Sequence, residues 1–155
     1  MKIVFVCTGN TCRSPMAQGL FRKILNGLDI RIEGIKVSSC GLRAVKNQLV
    51  SKNAVIAMED YGVDISMHRA KPLRETHVNE ADLLFTMTQA QAASIKKLYP
   101  AMKDNTFSLS EYAGLDNIEI EDPFGADLGT YKKCAADIYS LLLMASEKII
   151  EAIRS

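Results

Sequence analysis

The strongest constraint on the fold is an alternation of short apolar runs with helical patterns along most of the chain. The first run, Lys2 to Val6, is apolar and β-branched and is bounded by turn residues, which predicts a strand buried on both faces of a parallel sheet. Further strands are predicted at 35–39 and 81–87, with a weaker one at 106–109. We therefore expect a doubly wound α/β fold with a four-stranded parallel sheet, helices on both faces and functional sites beyond the carboxyl ends of the strands.

Helical patterns fill the segments between these strands. Ser14 is the expected N-cap of the first helix, with Pro15 in its first turn, and this helix is expected to end near 26–27. A second helix is predicted over 51–61, closed by Gly62.

Two more helices follow in the second half of the chain. Thr88 and Gln91 form a capping-box pattern for a helix that runs to Leu98. After a loop rich in Gly and Asp, a long helix with one apolar stripe extends to the C-terminal region, and Asp127 is a candidate cap for it.

Composition narrows the class of protein. A length of 155 residues suits a single domain over 1–155, and a net charge of +1 with scattered lysines and arginines argues against a nucleic-acid partner. The first apolar stretch is too short for the core of a signal peptide, and no run approaches the ~20 apolar residues of a membrane span. We expect a cytoplasmic monomer that does not bind membranes, with its four cysteines reduced.

The stretch VCTGNTCRSPMA, which follows the first strand, concentrates the reactive residues. A zinc site is weakly supported because Cys7 and Cys12 stand alone, and His68 and His77 have no partner motif. The pattern of a nucleotide-binding Walker loop is absent, since Gly9 precedes neither a second glycine nor a lysine. We therefore predict no metal and no cofactor.

The pattern Cys-x5-Arg fits an oxyanion cradle. Backbone N–H groups from Thr8 to Arg13 can turn inward around a tetrahedral anion, with the positive end of the following helix dipole behind them. Gly9 and Asn10 tolerate the left-handed backbone that such a cradle uses, and the guanidinium of Arg13 can grip two phosphate oxygens.

The same environment is expected to lower the pKa of Cys7. A shift from ~8.5 to ~5 requires about 5 kcal/mol of preferential stabilisation of the thiolate, which N–H donors, a helix N-terminus and Arg13 can supply together. A thiolate beside a phosphate site is a nucleophile that would form a phosphocysteine and later yield it to water. Asp122, extended before Pro123, is the preferred proton donor, although Glu119, Glu121 and Asp127 lie close by in the sequence.

Together these residues resemble the low-molecular-weight protein tyrosine phosphatases over nearly the whole chain. The loop C-x-G-N-x-C-R-S-P is the most specific part of the resemblance. Ser38-Ser39-Cys40-Gly41 stands where the family usually has Ser-Ala-Gly. The remaining matches are Ile65-Ser66 with His68 and Ala70, Ala81-Asp82 with Met87, and Asp122-Pro123.

The resemblance implies functional roles as well as a fold. It implies Cys7 as nucleophile, Arg13 as phosphate ligand and Asp122 as acid and then base. It also suggests that Asn10, Ser14 and Ser39 hydrogen-bond around the loop, with Ser14 helping to hold the thiolate. The implied partners are a phosphorylated protein and oxyanions in the loop, which would contact Thr8, Gly9, Asn10, Thr11 and Cys12.

Two positions favour phosphoarginine over phosphotyrosine as the substrate. Thr11 is similar to the residue in bacterial members that act on protein phosphoarginine, and its branched hydroxyl would narrow the slot for a phenyl ring. The acid loop reads Asp-Pro-Phe-Gly as in those relatives, so that Phe124 lines the entrance without a larger aromatic wall. Some tyrosine phosphatases of the family also carry threonine in the loop.

Rival functions, and packing roles for the cysteines other than Cys7, stay open at this point. Cys12 is predicted either to condense with an oxidised Cys7 or to pack, whereas Cys40 and Cys134 are expected in the core. An arsenate reductase would need resolving cysteines after the third strand, where the chain has Thr86-Met87-Thr88. A non-catalytic phosphate-binding module would have little use for both Cys7 and Asp122.

Overall fold

The computed structural model describes residues 1–28 and 34–155 and contains a four-stranded, all-parallel sheet. The strands are β1 (Lys2–Cys7), β2 (Lys36–Gly41), β3 (Leu83–Thr86) and β4 (Thr106–Ser108), in the order β2-β1-β3-β4. The chain passes from β1 to one neighbour and later returns to the other side, so the order switches at β1. The predicted doubly wound parallel sheet is confirmed.

Helices connect these strands. The longer ones are α1 (Arg13–Gly27), α2 (Lys52–Glu59), α4 (Gln89–Leu98) and α6 (Leu128–Arg154). The shorter ones are α3 (Glu75–Glu80), a 3-10 segment (Pro100–Asn105) and α5 (Leu109–Tyr112). No helix in the described part of the chain has both the length and the apolar character needed to cross a bilayer.

Both faces of the sheet are covered by hydrophobic clusters, as the continuous apolar run of β1 predicts. Phe5 faces the larger cluster, where its ring lies 5.7 Å from that of Phe21 on α1 and 5.8 Å from that of Phe85 on β3. Val4 belongs to the smaller cluster on the other face, together with Ile95 of α4. The alternation along β1 thus places helices on both faces, as expected.

The start of α1 differs from the prediction. Its N-cap is Cys12 rather than Ser14. Ser14 lies in the first turn, where its hydroxyl is hydrogen-bonded to the Cys7 sulfur and accepts from the side-chain amide of Asn10. The hydroxyl is therefore engaged behind the loop and does not cap the helix. This part of the prediction was wrong because an N-cap and an interior hydrogen-bonding serine look alike in sequence.

The other predicted boundaries move by a few residues. The second helix begins after Ser51 and ends at Glu59, with Gly62 in the left-handed region at φ 69°. The third strand is shorter than 81–87, and β4 stops at Ser108 because this residue caps α5. The sequence analysis missed α3, the 3-10 segment and α5, each of which is too short for a periodic apolar pattern.

Two predicted caps are present. The Asp127 side chain accepts a hydrogen bond from the Thr130 amide at the start of α6. Thr88 and Gln91 form the expected capping box of α4, and the Gln91 Nε2 also donates to the Thr8 hydroxyl at 3.1 Å. This cap therefore connects the end of β3 to the loop of residues 8–12 that follows β1, here called the β1–α1 loop.

The β1–α1 loop lies at the switch point of the sheet and packs closely on the end of β2. A Cβ atom at Gly41 would lie 2.6 Å from the Thr8 carbonyl oxygen and 3.0 Å from the Asn10 nitrogen. Both neighbours are backbone atoms, which cannot rotate away. Glycine is therefore required at the end of β2 to let the loop approach.

We expect Gly41→Ala to lower the free energy of unfolding by about 1–3 kcal/mol, because the added methyl group overpacks this contact. Denaturant titration would measure the change, with Gly27→Ala as the matched control, since nothing lies within 4 Å of a Cβ there. Equal stability of the two variants would contradict the required close approach.

Candidate active site

The site is built around the Cys7 sulfur at the carboxyl end of β1. Cys7 is buried, and its Sγ lies 2.8 Å from the Ser14 hydroxyl oxygen and 3.2 Å from the Asn10 backbone nitrogen, which donates to it. The sulfur is therefore contacted by the β1–α1 loop through Asn10 and by the first turn of α1 through Ser14.

Asn10 holds the loop in this shape. Its φ of 56° lies in the left-handed region, as predicted, whereas Gly9 does not adopt a positive φ. Its buried side chain donates to the hydroxyls of Ser14 and Ser39, at 2.8 and 3.0 Å. The structure thus brings together the three residues that the resemblance placed around the loop.

The carbonyl end of the Asn10 side chain is satisfied as well. Its Oδ1 accepts from the Lys71 backbone N–H at 3.0 Å and lies 3.0 Å from His68 Nε2. Because an amide oxygen only accepts, Nε2 of His68 carries the proton. Burial, followed by the charge of Lys71, lowers the pKa of His68 below its ordinary value, which favours this neutral donor. The contact was not predicted, because His68 has no partner motif in the sequence and no spacing signal connects it to Asn10.

Arg13 joins the loop to the segment that carries the predicted acid. Its side chain is buried, and Nη1 donates to the Ile120 carbonyl at 2.9 Å. Its Nη2 lies 3.6 Å from Asp122 Oδ2. Asp122 is half-exposed and accepts from the Phe124 amide through Oδ1. Two of the three alternatives have other contacts: Glu119 accepts from the Gln89 amide, and Asp127 caps α6.

These residues surround a pocket of about 220 Å³. Phe124 stands at its mouth with 68% of its surface exposed. The walls are formed by Cys7, Thr8, Gly9, Thr11, Cys12, Arg13, Gln48, Asp122 and Phe124. Gln48, on the segment after β2, was missed because nothing in its local sequence marks it, while Asn10, Ser14 and Ser39 support the loop from behind.

The predicted fall in the pKa of Cys7 is wrong for this structure. Burial is the largest influence and raises the pKa of the thiol, whereas the Ser14 hydroxyl and amide, the Arg13 charge and the Asn10 amide lower it. Sequence reasoning counted the donors but not the cost of removing a thiolate from water. The hydrogen bonds and the Arg13 charge therefore offset part of the free-energy cost of burying the thiolate. Loss of any one of them would lower the fraction of Cys7 that is ionised.

The second cysteine of the loop has its own partners. Cys12 Sγ lies 2.9 Å from the Ser51 hydroxyl oxygen and 3.4 Å from that of Tyr131. Burial, with the contact to Cys12, raises the pKa of Tyr131 to about 12. Condensation of Cys12 with an oxidised Cys7 stays a prediction. Cys40 and Cys134 are buried as expected, and burial raises the pKa of each to about 12.

The arrangement brings a buried thiol, a guanidinium and a carboxyl group to one small pocket. It can bind a tetrahedral oxyanion against the loop amides and Arg13, with the sulfur behind the central atom and a proton donor in front. Within residues 1–28 and 34–155, no group of three or more His, Cys, Asp or Glu side chains is placed to hold a metal ion.

Comparison with known proteins agrees with this chemistry. Residues 2–153 match the family described as low molecular weight phosphotyrosine protein phosphatase. The protein-arginine-phosphatase of Bacillus subtilis (strain 168) is 33% identical over 151 residues, covering 96% of this chain and 97% of that protein. The low molecular weight protein-tyrosine-phosphatase PtpB of Staphylococcus epidermidis is 37% identical over 144 residues, covering 92% of this chain and 94% of that protein.

A solved structure has the same fold and carries a phosphorylated group at its active site. It is a Cys-to-Ser mutant of the YwlE arginine phosphatase, whose active-site serine is phosphorylated. The two structures superimpose with a TM-score of 0.86 at 33% identity, covering 96% of this chain and 95% of the other. Because the family match spans nearly the whole length, the chain belongs to the low molecular weight phosphotyrosine protein phosphatase family and is a protein phosphatase.

Proposed function

We propose that the protein hydrolyses phosphoarginine in proteins through a phosphocysteine formed on Cys7. The observation that carries this proposal is the shared pocket, in which Cys7, Thr11, Arg13 and Asp122 line one small volume. Two rivals have less support. Thr86-Met87-Thr88 offers no resolving thiol for an arsenate reductase, and a simple binding module would not need a carboxyl group at Asp122.

In the first step, the Cys7 thiolate attacks phosphorus while the phosphoryl oxygens lie on the loop amides and Arg13. The S–P bond forms and the P–N bond to the guanidine breaks, as Asp122 passes its proton to the departing nitrogen. In the second step, Asp122 takes a proton from water, whose oxygen attacks phosphorus. The S–P bond breaks, and inorganic phosphate and the thiolate are released.

The side chains of the loop divide this work. Arg13 is held by the Ile120 carbonyl through Nη1 and lines the pocket, where its guanidinium would bind the phosphoryl oxygens. Ser14 and the Asn10 amide stabilise the thiolate, both as nucleophile and as leaving group.

Thr11 and Phe124 favour the guanidine over a phenyl ring. Thr11 is buried in the pocket wall, where its hydroxyl can accept from a guanidine N–H, a donor that a phenyl ring lacks. Phe124 lies at the mouth with most of its surface exposed, so no larger aromatic wall closes on the substrate there. Two relatives bearing the name protein-arginine-phosphatase support this choice.

Phosphotyrosine is the second candidate substrate. PtpB of Staphylococcus epidermidis is named a protein-tyrosine-phosphatase and is 37% identical to this chain.

The proposed setting is cytoplasmic and the proposed state is a monomer. The four buried cysteines, all free thiols, support a reducing compartment.

We expect Ser14→Ala to raise the pH midpoint for alkylation of Cys7 by about one to two units, because a hydrogen bond to the thiolate is lost while burial continues to raise the pKa. The rate of iodoacetamide labelling of the Cys7 peptide against pH, followed by mass spectrometry, measures this. Ser38→Ala on β2 is the control. Equal midpoints in all three proteins would rule out stabilisation of the thiolate by Ser14.

We expect Asp122→Asn to reduce kcat on phosphoarginine by about 10²–10⁴-fold, the usual contribution of a positioned proton donor. An aryl phosphate with an activated leaving group should lose far less, because that group departs without a proton. Steady-state kinetics on both substrates measure the difference, with Asp116→Asn as the control on the same acidic segment. Equal losses on both substrates would exclude Asp122 as the acid.

The substrate proposal is tested by kcat/KM on phosphoarginine and on phosphotyrosine. We expect the wild type to prefer phosphoarginine and Thr11→Ile to shift the ratio towards phosphotyrosine by about tenfold or more. Thr11→Val keeps the shape of threonine and removes the hydroxyl, so it separates the loss of the hydroxyl from the added volume of isoleucine. Cys7→Ser serves as the inactive blank. A wild type that strongly prefers phosphotyrosine would overturn the proposal.

A further inference from the structure

The two sequence regions that flank the pocket carry opposite charge. Residues 36–58 and 65–74 contain lysines, arginines and a histidine but no Asp or Glu, whereas residues 104–131 contain several acids but no Lys or Arg. The pocket wall includes Gln48 from the basic range 36–58, and Asp122 and Phe124 from the acidic range 104–131. The mouth of the pocket therefore lies between a basic stretch of the chain and an acidic one, which supplies Asp122.

Backbone hydrogen bonds attach the basic side directly to the pocket. The Arg43 N–H donates to the Thr8 carbonyl at 2.9 Å, and the Lys71 N–H donates to Asn10 Oδ1 at 3.0 Å. Leu49 and Arg69 form an antiparallel bridge, beside which the Ala70 N–H donates to the Gln48 carbonyl at 2.9 Å. The two basic segments are thus held together and against the β1–α1 loop.

The cations of this side are exposed and available. We call Arg43, Lys46, Arg69 and Lys71 the basic rim; all four are exposed, and none takes part in the salt bridges found among the described residues. Across residues 1–28 and 34–155, the guanidinium of Arg69 is hydrogen-bonded only to nearby carbonyl oxygens, those of Ser66 and His68. The charges of Lys71 and Arg69 both act on the pKa of His68, which indicates that they surround the same point.

Apolar side chains accompany these cations. Val45 and Leu49 are 66% and 63% exposed, and Met67 is 80% exposed. A surface that combines free cations with exposed aliphatic groups next to a substrate pocket has the composition of a peptide-docking site.

We propose that the basic rim docks an acidic segment of the phosphorylated protein, so that Asp or Glu side chains flanking the phosphorylated residue select the substrate. This inference rests on the proposed function, since the segment must belong to the chain whose phosphoryl group enters the pocket. Acidic side chains would pair with the basic rim and be repelled by residues 104–131, which fixes the direction in which the segment crosses the mouth. A nucleic acid fits less well, because a long polyanion would meet the acidic side and the net charge is only +1.

The test uses two series of peptides, one centred on phosphoarginine and one on phosphotyrosine, with Glu, Ala or Lys on both sides of the centre. We expect kcat/KM to be about tenfold higher with Glu than with Lys in whichever series is hydrolysed. This ratio should fall towards one in Lys46→Glu and Arg69→Glu, and should fall in the wild type as salt is raised. Lys103→Glu, an equal charge change on the exposed 3-10 segment, should keep the ratio.

The possible outcomes separate the two ideas. A wild-type ratio near one, or an equal fall in Lys103→Glu, would overturn docking on the basic rim. Inhibition by polyuridylate at lower concentrations than by the dephosphorylated Glu peptide would also overturn it, in favour of a nucleic-acid surface. By contrast, loss of the phosphoarginine preference on substrates without flanking residues, with the Glu-to-Lys ratio intact, would contradict only the proposed function.

Discussion

The side-chain amide of Asn10 is the interaction on which the site depends. Its two N–H groups and its oxygen reach Ser14, Ser39, His68 and the Lys71 backbone, so its hydrogen-bonding capacity is fully used within the protein. These partners come from α1, β2 and the 65–74 segment. One buried group thereby fixes the position of the loop relative to three separate parts of the fold, and its left-handed backbone sets the curvature that turns an amide towards Cys7. A half-satisfied network at this depth would be costly, which makes the arrangement close to all-or-none.

Arg13 connects the β1–α1 loop to the segment that carries Asp122. A guanidinium that is buried and bonded to the Ile120 carbonyl cannot be moved without disturbing the segment that leads to Asp122. Arg13 and Asp122, the proposed phosphate ligand and proton donor, are therefore located by one contact. This coupling explains how a half-exposed carboxyl group on a loop can be placed accurately without a rigid element of its own.

Much of this organisation could be predicted from the sequence, because its signals are local. The apolar run of β1, the Thr88 and Gln91 capping pattern and the Cys-x5-Arg spacing each lie within a dozen residues, and each leads to the right element or pocket. The features that were missed arise from contacts between distant parts of the chain. His68 reaches Asn10 across 58 residues, and Gln48 enters the pocket wall by the pairing of two loops. The predicted direction of the Cys7 pKa shift was wrong for the same reason, since burial of the sulfur is a property of the whole fold.

The double role of Gln91 has a dynamic consequence. Its side-chain oxygen accepts from the Met87 and Thr88 amides at the start of α4, while its nitrogen donates to Thr8 in the β1–α1 loop. Fraying of the first turn of α4 therefore withdraws a support from the loop, although the helix contributes no group to the reaction. Local opening of this turn would reach the reacting centre well before global unfolding, which makes amide exchange at the start of α4 a reporter of the order of the pocket.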